Sequence, residues 1–207
     1  MPRSTKRPSS SARGARARDA ILRAATSVFA RDGYRGGPLA AVATAADLTQ
    51  PGLLHHFPTK ESLLLAVLEE RDREGAALLD GTEEWHRGGP AALDALQGIV
   101  ERNAANRELV QLFTVLVGES VSDGHPAHRY FADRYARIRT GTADAIRRGQ
   151  AGGAFRADAD AETLASLVLA VMDGLQIQWL LDPSQDMTER FALFADMTKR
   201  FLTPATA

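Results

Sequence analysis

Gln50, Gly52, His55 and His56 lie within seven residues, followed closely by Thr59 and Lys60. A glutamine amide can pair bidentately with adenine, and a glycine lets backbone approach a base edge. Lys60, set beside Thr59 in the first turn of a helix, suits a phosphate held at that helix N-terminus. The two histidines could instead be metal ligands, but neighbours on a helix diverge by about 100 degrees and do not converge on one ion. One facing outward and the other packing beneath is the better assignment. Other candidate chemistry is thinner. Glu83-Glu84-Trp85-His86 contains one Glu-x-x-His, yet the second copy that a di-iron bundle needs is absent. His125-Pro126-Ala127-His128 offers two imidazoles in what reads as a solvated loop. There is no cysteine, so disulfides, thiolate catalysis and thiolate metal sites are excluded. No nucleophile motif, phosphate loop or dinucleotide fingerprint occurs. No metal and no cofactor is expected.

The base-reading set must be positioned by the stretch Pro38–Lys60, PLAAVATAADLTQPGLLHHFPTK. Leu39, Val42, Ala43 and Ala46 repeat at helical spacing and give one narrow apolar face. Asp47 marks a corner where the backbone needs a left-handed residue, a conformation Asp tolerates better than branched side chains do. Leu48 plugs the angle. Thr49 or Gln50 can cap the next helix. Gln50 as cap with Pro51 opening the helix is the less strained of the two, because proline disfavours helical dihedrals in the residue before it. Leu53 and Phe57 then face Val42 and Ala43, leaving Gln50, Gly52, His55 and His56 outward. Thr59 caps a longer helix starting at Lys60. The result is a helix-turn-helix whose second helix would enter a major groove.

This stretch resembles the DNA-binding motif of TetR-type (tetracycline-repressor-like) transcriptional regulators. The residues that carry the likeness are Ala46-Asp47-Leu48-Thr49, Leu53-Leu54-His55-His56-Phe57 and Lys60-Glu61-Ser62-Leu63, preceded by a helix from Ala20 to Gly33 and Tyr34. Three positions depart from the family pattern. Asp47 replaces the corner glycine, Pro51 sits at the start of the recognition helix, and Leu54 replaces a tyrosine that commonly touches phosphate. The resemblance implies an all-α protein with a three-helix DNA-binding head and a larger helical body that dimerises and encloses a small-molecule effector. The DNA-facing positions would be Arg16, Arg18, Pro38, Thr49, Gln50, Pro51, Gly52, His55, His56, Thr59 and Lys60.

The charge distribution agrees with that division. Formal net charge is −1, but residues 1–60 hold ten Lys and Arg against three Asp, a net of +7, and the remainder holds fifteen against twenty-three, a net of −8. A basic front on an acidic body suits a protein of which one end meets a polyanion. Residues 1–15 are read as a disordered basic arm able to follow phosphates or reach a minor groove. Arg- and Ser-rich sequence is also what an organelle transit peptide shows, but Pro2, Pro8 and Gly14 break any amphipathic helix there. The head with its linking helix spans 16–80, and the body 81–207. No segment is apolar enough to demand a membrane; Leu164–Leu181 carries Asp173, Gln176 and Gln178 and reads as a core helix.

Along the chain, a first helix over Arg16–Arg31 ends at Gly33, and Lys60–Asp80 is long and amphipathic, with Leu63, Leu64, Val67, Leu68 and Leu78 inward. Gly81 and Gly88-Gly89-Pro90 mark a loose connection. Helices follow over Ala91–Ala105, Glu108–Ser120, Pro126–Gly149, from Asp158 or Asp160 to Leu181, and over Thr188–Leu202. Asp173 and Gln176 interrupt an apolar helix, and a buried polar group needs a partner, which could be another chain, a water or a ligand. A cavity is therefore expected among Glu108–Ser120, Pro126–Gly149 and Leu164–Leu181, lined by some of Phe113, Tyr135, Asp173, Gln176 and Trp179. The last two helices carry more apolar surface than one face hides: Leu164, Leu167, Val168 and Val171 with Gly174 on one, Phe191, Phe194, Met197 and Phe201 on the other. Pairing with symmetry mates would bury both stripes in a four-helix bundle.

The expectation is a homodimeric regulator, a repressor released from a palindromic operator in double-stranded DNA by a small-molecule effector, working in the cytoplasm and not at a membrane. Two rivals are a helical-bundle enzyme with a basic tail, which turnover or bound metal would support, and a ligand-independent DNA-binding module, which a body without a cavity would favour.

Overall fold

The computed structural model describes residues 10–204, and ten helices with no strand make up the described residues. They are α1 (Ser10–Gly36), α2 (Leu39–Ala45), α3 (Gln50–His56), α4 (Lys60–Asp80), α5 (Glu83–Arg87), α6 (Pro90–Ala104), α7 (Arg107–Ser120), α8 (His128–Ala151), α9 (Ala161–Leu181) and α10 (Met187–Leu202). The all-α expectation holds. Residues 1–9 of the basic arm lie outside the described residues. Residues 10–15, read above as disordered arm, are instead the first turns of α1. Alanines and arginines favour helix, and the single Gly14, at about 1 kcal/mol relative to alanine, does not break it. Helical geometry breaks at Gly33, with φ 69° and ψ 177°, before one further turn to Gly36.

Two apolar clusters hold the chain. The first joins α1 to α4 and runs on into the body: Ile21, Phe29, Leu53 and Leu64 share it with Leu112, Phe113, Leu116 and Phe131. The head is therefore not a separate core. The second packs α6, α8, α9 and α10 around Leu96, Ile146, Val168 and Phe191. In α4 the expected inward residues are buried except Leu78, which is exposed.

The Gly81 to Pro90 segment is better built than a loose connection. Thr82 caps α5, and half-buried Trp85 packs on the second cluster. The Gly89 amide donates to the Ala145 carbonyl at 2.9 Å. Gly88 and Gly89 have φ 73° and 62°, which only glycine adopts at ease. On the facing helix α8, a Cβ at Gly149 would run into the Gly89 backbone and stand 2.9 Å from the Phe155 ring. Gly149→Ala is thus expected to destabilise the fold by about 1–3 kcal/mol, because two backbones would have to separate. Denaturant unfolding checks this, with Gly98→Ala, where the added methyl meets nothing within 4 Å, as the control.

By length and composition α9 could cross a membrane, and only 22% of its most apolar window is buried. It is therefore not the core helix expected from its sequence. One side packs inward through Ala161, Ala165, Val168, Met172 and Gln176, and the other side is apolar and open.

Candidate functional site

The helix-turn-helix is built from ordinary local preferences. Asp47 takes φ 56°, the left-handed corner expected of it. The Leu48 amide reaches back to the Ala43 carbonyl at 2.9 Å and closes the turn. The cap of α3 is Thr49, not Gln50: the Thr49 hydroxyl accepts from the Gly52 amide at 3.2 Å, and Pro51 falls in the first turn. With Thr49 extended, Gln50 becomes the first helical residue and a full side-chain cap is gained, which outweighs the strain of a helical residue before proline. Leu53 and Phe57 are buried against Val42 and Ala43. Gln50, Pro51 and His55 are exposed on the opposite side, while Gly52 and His56 are half-buried. Pro38, in extended conformation, is the exposed residue that precedes α2.

Around this helix stand the cationic candidates. Arg16 and Arg18 are exposed on α1, and the Arg18 guanidinium rests 4.5 Å above the Phe57 ring, which places it beside the end of α3. Thr59 and Ser62 form a reciprocal capping box at the start of α4, with amide-to-hydroxyl distances of 3.0 and 3.2 Å. Lys60 is less free than its sequence suggested. Its ammonium donates to the Arg35 carbonyl at 3.3 Å and lies 4.9 Å from the centre of the Tyr34 ring. Burial lowers its pKa, and Glu119 opposes that shift.

Tyr34 continues the connection into the body. Its amide donates to Glu119 Oε2 at 2.9 Å, and Gln111 on the same helix, α7, donates to the Ala30 carbonyl at 3.0 Å. His125, expected in a solvated loop, is buried against this joint. Its Nδ1 accepts from the Ala127 amide at 3.2 Å and lies 2.9 Å from the Ser120 hydroxyl, while Nε2 points to Glu119 at 3.6 Å. Burial lowers its pKa, with Glu119 pulling the other way. His128, half-buried, bonds through Nδ1 with the Ser120 carbonyl. The two imidazoles serve the turn, not a shared ion. Among the described residues no three His, Cys, Asp or Glu side chains converge.

A cavity of about 250 Å³ lies in the body. Phe113, Tyr135, Asp173 and Gln176 line it. Trp179 does not: it lies to the side, with the Arg107 guanidinium 5.1 Å from its ring. Trp85 lines the cavity instead, together with Arg71, Asp72, Asn103, Arg134 and Thr142. These come from α4 to α8, so α4, α5 and α6 contribute walls that were not expected. A sequence signal existed. Arg71 continues the Leu64, Val67, Leu68 stripe, and Asn103 continues the Leu96, Val100 stripe, so each is a polar residue on an apolar face.

The cavity's charges are sorted by their partners. Asp72 accepts from Tyr130 at 2.6 Å, Arg134 at 2.7 Å and Arg137 at 3.0 Å. Asp173 accepts from the Tyr135 hydroxyl at 2.6 Å, and burial raises its pKa against the effect of that bond. Burial also raises the Tyr130 and Tyr135 hydroxyls well above their usual range. Arg71 is buried, and that burial, with Arg134 nearby, brings its pKa down to about 10. The Arg71 and Arg134 guanidinium carbons lie 4.0 and 4.4 Å from the Phe113 ring centre.

Comparison with known proteins places these two sites in a family. Residues 21–67 match the model for bacterial regulatory proteins of the tetR family, and residues 91–203, more than half of the chain, match that for the C-terminal part of BetI-type transcriptional repressors. The chain belongs to the TetR family. Within that family it is 39% identical to the HTH-type transcriptional repressor NicS of Pseudomonas putida, over 54 residues that are 26% of either chain. The chain thus matches this curated relative over about a quarter of its length. A TetR-family regulator from Rhodococcus sp. superimposes with a TM-score of 0.73 at 25% identity, covering 88% of this chain and 98% of the other. A transcriptional regulator from Saccharomonospora viridis, solved in complex with choline, gives 0.73 at 25% identity, covering 90% and 96%. The two matched ranges cover the helix-turn-helix and α6 to α10 of the body.

Proposed function

We propose that this TetR-family protein is a dimeric transcriptional repressor that leaves a palindromic operator when a small molecule occupies the body cavity. The observation that carries the reading is the pairing, in one chain, of an outward-facing α3 with a partly enclosed cavity whose wall includes α4. The relatives add a repressor by name and a regulator holding a small ligand. The existence of a cavity favours this over the ligand-independent module, and no observation favours the enzyme.

The dimer surface is revised from the sequence reading. Val168 and Phe191 are buried in their own chain and cannot serve, because each lies on its helix's inward stripe. Leu164, Val171, Gly174 and Phe194 are half-buried. Leu167, Met197 and Phe201 are exposed, and Ile177, Leu181 and Leu193 join them. The α9 set, Leu167, Gly174, Ile177 and Leu181, follows the spacing of a helix–helix seam. Gly174 has nothing from its own chain within 4 Å of an added Cβ, which leaves room for a crossing helix. A second copy seated here gives the open side of α9 a protein partner in place of lipid.

In the bound state Gln50 and His55 face base edges, Gly52 lets the helix come close, and Thr49, Thr59, Lys60, Arg16 and Arg18 meet phosphate. The effector must bind the two states unequally to shift them. A route exists: α4 runs from the Thr59 cap beside α3 to Arg71 and Asp72 at the cavity. Footprinting of the purified protein on its own upstream DNA, with and without candidate effectors, tests the whole reading; no footprint at low salt would overturn it. Within a footprint, Gln50→Ala should relax preference at one base pair by about 1–3 kcal/mol. Lys60→Ala should weaken all sequences alike and lower the salt slope by about one.

A further inference from the structure

Five buried side-chain polar atoms have no hydrogen-bond partner among the described residues, and three belong to residues lining the body cavity: Arg71 Nε, Asn103 Oδ1 and Thr142 Oγ1. These residues are 9%, 3% and 2% exposed. Buried polar atoms are almost always paired, so unpaired ones grouped about one void mark where a partner is missing. Two of the three acids at the same void, Asp173 and Asp72, are in the opposite condition, and the third, Asp80, is exposed. Asp173 is held by Tyr135, and Asp72 by Tyr130, Arg134 and Arg137. Arg71 makes no hydrogen bond to Asp72, whose nearest oxygen is 3.8 Å from its NH1 and already accepts from Arg134. The unmet demand at Arg71 is therefore for an acceptor carrying negative charge, while the Asn103 amide oxygen calls for a donor and the Thr142 hydroxyl can be met by either. A guanidinium in a dry site is best met by a planar oxyanion. Most of the wall between these groups is apolar, with Leu96, Ile99 and Met172 beside Phe113 and Trp85.

We infer that the effector is a small organic acid, an apolar body bearing a carboxylate, whose oxyanion is bound by Arg71 and whose remaining polar group is met by Asn103 or Thr142. This rests on the cavity being the effector site and specifies what that site takes. Choline, the ligand of the Saccharomonospora viridis protein, carries a fixed positive charge. Here it would meet Arg71 and Arg134 across the Phe113 ring, and the acids near them are already engaged. Arg71 also borders the cleft formed by α1, α4 and α7, where Asp19, Arg23 and Glu108 lie. An anion that draws the Arg71 side chain thus acts on the one residue shared by the cavity and the cleft at the head.

The test uses the whole chain, with the combined fluorescence of Trp85 and Trp179 and thermal melting as readouts. The probes are carboxylates from benzoate and phenylacetate to octanoate, their neutral amides, and the cations choline and benzyltrimethylammonium. At least one acid should bind saturably and raise the melting temperature, and its amide should bind about tenfold or more weakly. Arg71→Met, a substitution of similar length without charge, should bring the acid down to the amide's level. If that variant does not fold, the acid–amide comparison on the unaltered protein decides alone. An amide or a cation binding as tightly as the matched acids would overturn the inference and leave the effector cavity standing. Silence from all three classes would overturn both.

Discussion

Leu167→Glu combined with Met197→Glu is expected to give a folded, helical monomer of about 22.3 kDa that binds a palindromic operator on the order of 10²–10⁴-fold more weakly. The size of the effect follows from linkage: a dimer turns its second half-site contact into an intramolecular event, and a monomer loses that gain with no contact to DNA removed. Leu167 and Met197 are 54% and 60% exposed in the single chain, so carboxylates there meet water in the monomer and an apolar partner only in the dimer. Val171 and Phe194 would be poorer choices, since both pack on the second cluster and their loss would unsettle the fold itself. Sedimentation at micromolar concentration and circular dichroism check the two halves of the prediction. An unmutated protein that sediments as a monomer would sink the interface. Half-sites about 34 Å apart, or a multiple of that, are the corresponding expectation for the operator.

Asp72→Ala should be strongly damaging to the body, at about 3–5 kcal/mol of stability. Its carboxylate is 16% exposed and takes hydrogen bonds from one tyrosine and two arginines of α8, tying that helix to α4. Removing one member of a buried charge cluster leaves the others desolvated without their counter-charge, and that penalty exceeds the net worth of any bond lost. Here Arg71 and Arg134, 9% and 13% exposed and both set against the Phe113 ring, would keep only Asp173 as a counter-charge close by. Arg137 is 61% exposed, so Arg137→Ala should cost under about 1 kcal/mol. Adding Arg134→Met to Asp72→Ala should recover a substantial part of the loss. Denaturant midpoints at one fixed protein concentration give the comparison, since a dimer's stability depends on concentration. Equal costs at Asp72 and Arg137 would show that the cluster is a surface ion pair and nothing more.

The reading head was legible in the sequence because its determinants are local. A small-residue stripe, a left-handed corner residue, a proline confined to a first turn and a threonine cap each act within four residues. They fix where α2 to α4 begin and end almost to the residue. The one local choice that went the other way, Thr49 over Gln50 as cap, was a contest between two local terms of similar size. The spans of α6, α7 and α10 were legible to within one residue at each end and α9 from its Asp160 cap, whereas α8, which has no side-chain cap, begins at His128 and not at Pro126.

What tertiary structure decided was which side of each helix met what. A helical stripe shows that a residue faces something, not whether that is its own core, a second copy or an empty space. So Val168 and Phe191 went inward while Leu167 and Met197 stayed out, although all four are apolar residues on stripes of the same helices. His125, in a turn rich in polar residues, was buried because α1 and α7 close over it at Tyr34 and Glu119. The cavity gathered residues from six helices, spanning more than a hundred positions between Arg71 and Gln176, and no local pattern can specify a void of that kind. The sequence alone placed polar residues on apolar faces at Arg71, Asn103 and Gln176. Only the arrangement of the helices around one void left Arg71 Nε and Asn103 Oδ1 unpaired, because a hydrogen bond across helices depends on distances that no single helix sets.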